Sequence, residues 1–596
     1  MTEPTDATAP SHSAPGSPPL ADRRLLLVSG LAIVIALGAG VLAEALMALI
    51  GLVTNLTFYG RWSLAFSSPA ENTLGPWVIG IPVLGGLVVG VVARWGSPAI
   101  RGHGIPEVME RVLVGESRVP PRVTLLKPIG SAISIGTGGP FGAEGPIIAS
   151  GGALGSLVGQ ALRVTADERK TLLAAGAAAG MSAVFGAPVS ATLLAVELLL
   201  FEYRPRSLAP VALASAAAAG FRIAVHGPAA VFPMEFIATP SGRALVAYTV
   251  IGVLIGWLGV VITKGLYRIE DAFERLPIHW MWWPALGGIV VGLMGYLSPR
   301  TLGVGYDNIQ HLLDGSLAGQ ALLLLVIAKS ISWSIALGSG TAGGTLAPLF
   351  TIGGGAGVLV GAGAAAFLPM LGIDPRVAGL VGMAAAFTGA SRALLASVVF
   401  AFEATHQPMG LLPLLAGCTG AYLISLRTMR YTIMTERLAR RGTPVITEYS
   451  ADFLERLLVR DHSTRSVVTL PADATVAATR IWLSGENAST HQGFPIVDGE
   501  DRLVGLLTRR DIQNPEVAED TPLRALILHP PIVIEGHQSL RDAADRMVRA
   551  KVGRLPVVAE DGSRRVVGII SRSDLLTAHE RRLDETGRVA DATLWG

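Results

Sequence analysis

The chain has 596 residues, of which 51% are hydrophobic and only 15% are charged. A soluble protein of this length would carry charge on about a quarter of its residues, so the composition argues against a soluble globular chain. The net charge of +2 gives no indication of a nucleic-acid partner.

Residues 1–22 are rich in proline, serine, threonine and alanine, and we interpret them as a disordered tail. They do not resemble a signal peptide, because no basic segment opens them and the apolar run that follows is too long. That run, residues 25–53, exceeds the roughly 20 residues that span a bilayer as helix. Further apolar runs follow at residues 75–93, 244–262 and 281–297. The sequence therefore predicts an all-α polytopic membrane domain over residues 23–442.

Basic residues are concentrated at three places along this domain. They precede the first apolar run, fill the connection after the second, and follow the last. By the positive-inside rule these three places are cytoplasmic, which predicts an inner (plasma) membrane protein with both termini in the cytoplasm. The residues concerned are Arg23, Arg24, Arg94, Arg101, Arg111, Arg118, Arg122, Lys127, Arg437, Arg440 and Arg441. The single cysteine, Cys418, excludes an intrachain disulfide and does not suggest a metal site.

Two stretches of the membrane domain repeat each other. Residues 142–159, "GAEGPIIASGGALGSLVG", match residues 344–361, "GTLAPLFTIGGGAGVLVG", with a proline and five glycines in register. Residues 176–197 match residues 382–403, and both copies begin with glycine and end with glutamate. Duplicated halves with interrupted hydrophobic segments indicate a transporter whose binding site lies between the halves. The sequence alone leaves the relative orientation of the halves open, because the number of membrane spans between them cannot be counted from the apolar runs.

Three glycine-rich segments interrupt the apolar pattern: "GHGIP" (102–106), "GAEGP" (142–146) and "GTLAP" (344–348). Glycine before a helix and proline in its first turn favour an exposed helix N-terminus, whose N–H groups and positive dipole end form an anion site. Glycines for close helix packing are the simpler explanation of many others. That explanation accounts neither for this spacing nor for the carboxylate of Glu144, which is costly in such surroundings.

These segments resemble the three signatures of the chloride channel (CLC) family of anion channels and proton-coupled anion exchangers. The matching stretches are "GHGIPEV", "GAEGP" and "GSGTAGGTLAP" (338–348), and the resemblance covers residues 25–442. It implies a homodimer with one ion pathway per subunit, inverted halves, and Glu144 as a gate whose carboxylate competes with the anion. The alternative for Glu144 is an ion pair with a buried lysine, Lys127 or Lys329.

The resemblance also implies which residues contact the anion, and the chain departs from the family at three of the relevant positions. His103 replaces a serine, Met434 replaces a tyrosine, and Leu198 replaces an internal glutamate that relays protons, with Glu197 just before it. A thioether donates no hydrogen bond, and a helix neighbour points about 100° away. The inner site is therefore expected to differ in selectivity, and proton coupling to be weak. The anion-binding residues are predicted to be His103, Gly104, Ile105, Thr345, Leu346 and Met434.

After residue 442 the pattern becomes that of a soluble α/β unit with its own repeat. Residues 493–512 match residues 553–575. They resemble a pair of CBS domains, predicted at 443–515 and 516–580 and followed by a tail at 581–596. Such pairs often bind adenine nucleotides, and the contacts would be Thr508, Asp511, Ser571 and Asp574. The alternative is a purely structural tail that stabilises a dimer.

The sequence therefore predicts transport of chloride or a similar small anion, gated by Glu144, with proton antiport as one option. A passive anion channel is the alternative within the same class. Two other classes stay open: a membrane-embedded enzyme using Glu144 and His103 as acid and base, and a nucleotide-sensing membrane scaffold. The sequence contains no phosphate loop, metal-ligand cluster or nucleophile elbow, so we expect neither an enzyme nor a required cofactor.

Overall fold

The computed structural model describes residues 21–162, 164–442, 454, 457–484 and 491–580. The predicted tails at 1–22 and 581–596 lie almost wholly outside these residues, as does the predicted junction at 442–443. The chain divides into two compact units, Met1–Tyr449 and Ser450–Gly596. Each unit is described by itself.

The first half of the membrane unit comprises eight α-helices. A π-helical turn, Val196–Leu200, extends the seventh. The helices are α1 (Ala21–Tyr59), α2 (Gly80–Trp95), α3 (Ile105–Val114), α4 (Pro121–Gly136), α5 (Glu144–Ala161), α6 (Ala166–Phe185), α7 (Pro188–Ala195) and α8 (Pro205–His226).

The second half repeats this order, followed by one short helix. Its members are α9 (Gly242–Glu274), α10 (Trp283–Leu297), α11 (Tyr306–Leu313), α12 (Gly319–Gly338), α13 (Leu346–Phe367), α14 (Pro375–Ser391), α15 (Leu394–Thr405) and α16 (Leu411–Thr428), and then α17 (Glu436–Arg440).

Packing in the two halves follows the same scheme, with helix numbers offset by eight. Helix α5 packs on α6 as α13 packs on α14, and α1 packs on α8 as α9 packs on α16. The contact between each packed pair is made through glycine. A Cβ added at Gly151 or Gly176 would lie 2.2 or 2.1 Å from the other's carbonyl oxygen, and Gly353 and Gly382 face each other in the same way at 2.5 and 2.3 Å. Close helix packing therefore explains these glycines of the repeat.

The halves contact each other reciprocally through the two glutamates that end the second repeat. Glu197 accepts hydrogen bonds from the backbone N–H groups of Leu395 (3.0 Å) and Ala396 (3.1 Å) at the start of α15. Glu403 near the end of α15 accepts from Val189 (3.0 Å) and from Ser190 (2.8 Å) at the start of α7. Equivalent helices thus lie antiparallel, each N-terminus capped by the carboxylate of the other. A two-fold relation of this kind between equivalent helices inverts the halves, which confirms the predicted architecture.

Within the described part of the membrane unit, eight helices are long and apolar enough to cross a bilayer. Some of the other helices of the repeat are shorter, as broken helices must be when they end inside a protein. The eight spans are Arg23–Tyr59, Gly75–Trp95, Pro205–His226, Gly242–Glu274, Trp280–Leu297, Gly319–Gly338, Leu346–Phe367 and Pro408–Thr428. The chain is therefore a multi-pass membrane protein.

The C-terminal unit contains two small sheets of identical topology. In each, a first strand pairs parallel with a second, which pairs antiparallel with a third. The strands are β1 (Leu470–Pro471), β2 (Gly493–Val497), β3 (Leu503–Thr508), β4 (Ile534–Glu535), β5 (Arg554–Val558) and β6 (Val566–Ser571), and the α-helices are α18 (Val459–His462), α19 (Val476–Ser484), α20 (Arg509–Ile512) and α21 (Leu540–Arg549).

The two modules exchange chain segments. Val459, ahead of the first sheet, belongs to the core that contains Ile534 and Leu555. Leu523, after the first sheet, packs into the core that contains Leu470 and Phe494. A single cut between residues 515 and 516, the predicted boundary, therefore does not separate the two cores.

Candidate anion site

The three predicted signature segments meet in the interior of the membrane unit. The N–H of Gly344 donates to the carbonyl of Gly142 at 2.9 Å, and the N–H of Gly343 donates to the carbonyl of Gly102 at 3.4 Å. A Cβ added at Gly145 would lie 2.0 Å from the His103 carbonyl oxygen and 3.1 Å from the Gly344 Cα. Such approaches require glycine. The spacing "Gly-x-x-x-Pro" is thus explained by three backbones in direct contact.

Each of the three segments leads into a helix N-terminus. Helices α3, α5 and α13 begin at Ile105, Glu144 and Leu346. The turn before α3 depends on Gly104, whose φ of +95° is accessible to glycine and strained for other residues. The first N–H groups of a helix have no intrahelical backbone partner, although the N–H of Gly104 before α3 donates to the Glu107 carboxylate at 2.7 Å and is not free for an anion. The arrangement therefore directs N–H groups and positive dipole ends from two halves of the chain toward one region, as an anion site requires.

Glu144 is the first residue of α5 and is 1% exposed. Its Oε1 accepts a hydrogen bond from the Tyr306 hydroxyl at 3.1 Å. Its Oε2 is buried and has no hydrogen-bond partner among the described residues. Cβ atoms added at Gly142 and Gly344 would lie only 1.7 and 2.7 Å from Oε2. The carboxylate therefore occupies a recess formed by glycine backbone, with one oxygen unsatisfied.

The two buried lysines considered as partners of Glu144 are engaged elsewhere. Lys127 donates from Nζ to the carbonyls of Ile100 at 3.0 Å and Gly102 at 3.1 Å. Lys329 donates to the carbonyls of Thr301 at 2.9 Å and Gly303 at 3.2 Å. In the described part of the chain, neither lysine forms an ion pair with Glu144 within 4.0 Å. The ion-pair alternative for Glu144 therefore finds no support in the geometry.

The lysine contacts reveal a third pair of matching segments in the two halves, which the sequence analysis did not identify. Lys127 and Lys329 each hold the backbone of a turn, "GHGI" (102–105) in the first half and "GVGY" (303–306) in the second. The second turn delivers Tyr306 to Glu144. The two glycines at equal spacing were the available signal. The second copy has no proline, so it does not match the "Gly-x-x-x-Pro" pattern of the three signatures.

His103 and Met434 both lie buried, on segments that contact each other. The His103 ring is 4% exposed and lies against the backbone of Ile433, and its Nδ1 lacks a partner among the described residues. Met434 is fully buried, and its N–H donates to the Thr432 hydroxyl at 3.2 Å. Tyr431, which is three residues from the family's tyrosine position, is partly exposed. The structure thus brings Ile433, the residue before Met434, next to the first signature, and it buries Met434 more deeply than Tyr431.

The third signature contributes a buried hydroxyl. Thr345 precedes α13, is 1% exposed, and its Oγ1 has no partner in the described structure. Together with His103 Nδ1 and Glu144 Oε2, each signature segment has one buried polar atom left unsatisfied. Buried polar groups are normally hydrogen-bonded. Twelve buried side-chain atoms have no hydrogen-bond partner among the described residues, and three of them fall on the three segments that contact each other, where a ligand would satisfy them. Anion contact by His103, Gly104, Ile105, Thr345, Leu346 and Met434 remains a prediction.

Leu198 stands where the family often has a relay glutamate, and the neighbouring Glu197 has a different role in the structure. Leu198 is buried, 5% exposed, within the π-helical turn. Both oxygens of Glu197 are committed to the N-terminus of α15. Glu197 therefore caps a helix and is not placed as a simple substitute for the missing glutamate.

In the C-terminal unit, the four predicted nucleotide-binding residues form two local caps. Asp511 accepts from the Thr508 N–H at 2.8 Å and from its hydroxyl at 2.6 Å. Asp574 accepts from the Ser571 N–H and hydroxyl, both at 2.7 Å. Ser/Thr-x-x-Asp is the pattern of a helix-capping box. The motif therefore has a structural reason of its own, and its contact with a nucleotide stays a prediction.

Comparison with known proteins matches each unit to a known family. A family model described as voltage gated chloride channel matches residues 85–426, and the CBS domain model matches residues 459–514 and 523–581. A relative from Vibrio campbellii, named H(+)/Cl(-) exchange transporter ClcA, is 32% identical over 369 residues, which are 60% of this chain and 78% of the relative. A relative of the same name from Yersinia pseudotuberculosis is 30% identical over 375 residues, 61% of this chain and 78% of the relative.

Two solved structures have the same fold at lower identity. A slow cyanobacterial Cl-/H+ antiporter superposes with a TM-score of 0.62 at 24% identity, over 70% of this chain and 97% of its own. A eukaryotic CLC transporter superposes with a TM-score of 0.59 at 20% identity, over 92% of this chain and 98% of its own. With inverted halves, three convergent signatures and a family match over more than half of its length, the chain belongs to the CLC family and carries two CBS domains.

Proposed function

We propose that this protein exchanges chloride or a similar small anion for protons across a membrane, with Glu144 as the gate. The observation that carries the proposal is the position of the Glu144 carboxylate, which is buried at the first turn of α5 and has no cationic partner among the residues that the structure describes. A carboxylate in an anion site competes with the anion for the same N–H groups. Protonation removes the charge of the carboxylate, so the side chain no longer competes with the anion for these N–H groups.

Exchange, rather than passive conduction, is supported by the relatives, which are named as H(+)/Cl(-) exchange transporters. It is opposed in part by Leu198 at the position where the family often has a proton relay. We therefore propose an exchanger whose proton coupling is weak or uses another route. A passive anion channel is the second candidate, and Leu198 at the relay position favours it.

The cellular setting follows from the charge distribution. We propose the inner (plasma) membrane, with both termini in the cytoplasm, because the basic clusters beside the first, second and last apolar runs must share one side. We also propose a homodimer, as the family resemblance implies. Val189 and Leu395, at equivalent positions of α7 and α15, are 55% and 47% exposed and would be covered by a partner subunit or by lipid.

Reconstitution into liposomes tests the proposal. Chloride efflux and external pH are recorded together after a chloride gradient is imposed. Proton uptake driven by chloride establishes exchange, and robust chloride flux without proton movement establishes a channel. Liposomes that stay tight to anions would favour the scaffold, and turnover of a substrate without an anion gradient would favour an enzyme.

His103→Ser is expected to remove a pH dependence of anion binding. A protonated imidazole adds a positive charge beside the anion, whereas a serine hydroxyl donates one hydrogen bond at any pH. Measured in a Glu144→Gln background, in which the gate no longer titrates, affinity should therefore rise as the pH falls through the titration of His103, and adding His103→Ser should abolish that rise. Isothermal titration with chloride at two pH values measures this. An unchanged pH dependence in the variant would remove His103 from the site.

The CBS pair is proposed to bind an adenine nucleotide and to modulate transport. Stabilisation by a ligand grows as RT ln(1 + [L]/Kd), so a nucleotide at about a hundred times its Kd should add about 2.7 kcal/mol. Thermal unfolding of the full chain with ATP, ADP or AMP measures this, with Thr508→Val and Ser571→Ala as variants. If no nucleotide shifts unfolding or flux, the caps at these residues are purely structural.

A further inference from the structure

A polar cavity lies near the ends of three membrane spans, and Lys127 and Glu107 beside the first signature are among its lining residues. Its volume is about 590 Å³. It opens where the spans Gly75–Trp95, Gly242–Glu274 and Trp280–Leu297 end or begin. Its lining combines apolar residues, among them Pro98, Val119 and Val123, with six basic and four acidic side chains. A cavity with apolar lining residues and a surplus of positive charge suits an amphiphilic anion.

Arg101 lines this cavity and stacks on two of its tryptophans. Its guanidinium carbon lies 4.7 Å from the ring centroid of Trp280 and 5.5 Å from that of Trp283. No hydrogen bond or ion pair to the guanidinium occurs among the described residues, and Nε is buried without a partner. Stacking on two indoles fixes the plane of the guanidinium but leaves its N–H groups unpaired. The side chain is therefore oriented and its charge is uncompensated.

The carboxylates of the cavity are mostly engaged with other cations. Glu270 accepts from Arg437 at 2.7 Å, and Glu107 lies 3.4 Å from the same arginine. Glu110 pairs with Arg441 at 2.7 Å. Glu274, exposed at the end of α9, lies beyond 4.0 Å from the Arg101 nitrogens. Among the described residues, Arg101 thus forms no ion pair within 4.0 Å with the acidic residues around it.

We propose that this cavity binds a phosphate ester, with Arg101 as the residue that contacts the phosphate. An arginine fork matches phosphate oxygens in pairs. Tryptophans concentrate at the level of lipid headgroups, and basic pockets between membrane helices on the cytoplasmic side bind acidic headgroups. A phospholipid headgroup supplies this chemistry, and so does a soluble organic phosphate. The apolar side chains of Val119 and Val123 would contact the start of a lipid acyl chain.

The test uses the full chain in neutral detergent, titrated with phosphatidylglycerol, phosphatidylcholine or soluble glycerol 3-phosphate. Native mass spectrometry and thermal unfolding read the binding. We expect phosphatidylglycerol to bind and stabilise wild type, and Arg101→Gln to weaken that binding about tenfold or more, the loss of one charge-assisted contact. Arg94→Gln, at the exposed end of α2, is the matched control and should bind as wild type does.

Glycerol 3-phosphate binding that also depends on Arg101 would identify a soluble phosphate as sufficient, whereas dependence on the lipid alone would identify a headgroup site. Arg101→Lys keeps the charge and loses the fork, and Trp280→Leu loses the stack, so both should weaken binding even if Arg101→Gln fails to fold. The proposal is overturned if Arg101→Lys and Trp280→Leu bind phosphatidylglycerol like Arg94→Gln, or if the two lipids bind equally. Because the readout is binding, the result does not depend on transport.

Discussion

Glu144→Ala and Glu144→Gln should give anion flux that no longer responds to external pH. The alanine variant empties the recess beside Gly142 and Gly344, and the glutamine variant imitates the protonated side chain. In wild type, flux should rise as external pH falls, because protonation removes the carboxylate that competes with the anion. Over the range where the charged form dominates, one titrating group gives about a tenfold change per pH unit. The anion flux of both variants should not change with external pH over the same range.

Proton coupling should vanish in the same two variants, because the group that carries the charge change is gone. Chloride efflux and external pH, recorded together from liposomes, measure both effects. Glu403→Gln is the control: it removes a partly buried carboxylate from the membrane unit, but one that caps α7. It should lower stability and keep the pH response. If Glu144→Ala keeps the wild-type pH response, Glu144 is not the gate, and its burial needs a different explanation.

The sequence predicted the parts of this site that follow from backbone chemistry. Glycine and proline at the three signatures indicate where helices start and where backbones touch, and the contacts of Gly102, Gly142 and Gly344 agree with that. The family resemblance then identified Glu144. These features are local in sequence, so a pattern of a few residues is enough to find them.

The parts that the sequence did not predict depend on side chains far apart in the chain. Tyr306 donates to Glu144, which lies 162 positions earlier in the chain. Lys127 on α4 and Lys329 on α12 donate to turns that lie more than 20 residues before each lysine. The reciprocal caps at Glu197 and Glu403 join opposite halves. Both glutamates were visible as the ends of the repeat, but only the antiparallel packing of α7 and α15 reveals why each half keeps one.

Tyr306→Phe should move the pH dependence of flux toward higher pH. The Tyr306 hydroxyl donates to Oε1 of Glu144 at 3.1 Å, and the ring is held by Phe185 at 5.8 Å and Phe232 at 6.0 Å between centroids. A hydrogen bond to a charged group contributes about 1.5–3 kcal/mol. Without it, the carboxylate is less stable in the site, and protonation releases it at lower proton concentration. Since one pH unit corresponds to about 1.4 kcal/mol, the expected shift is about one to two units.

The flux–pH profile in liposomes measures this shift, and two further variants make it specific. Tyr248→Phe removes another buried hydroxyl, which accepts from the Asp374 N–H at 3.0 Å, and should leave the profile unchanged. Tyr306→Phe combined with Glu144→Ala should behave as Glu144→Ala alone, because the hydroxyl then has no carboxylate to hold. A Tyr306→Phe profile that coincides with wild type, while Glu144→Ala is flat, would mean that the hydroxyl does not hold the gate. In that case the competition between carboxylate and anion is set by the helix N-termini and the glycine recess alone.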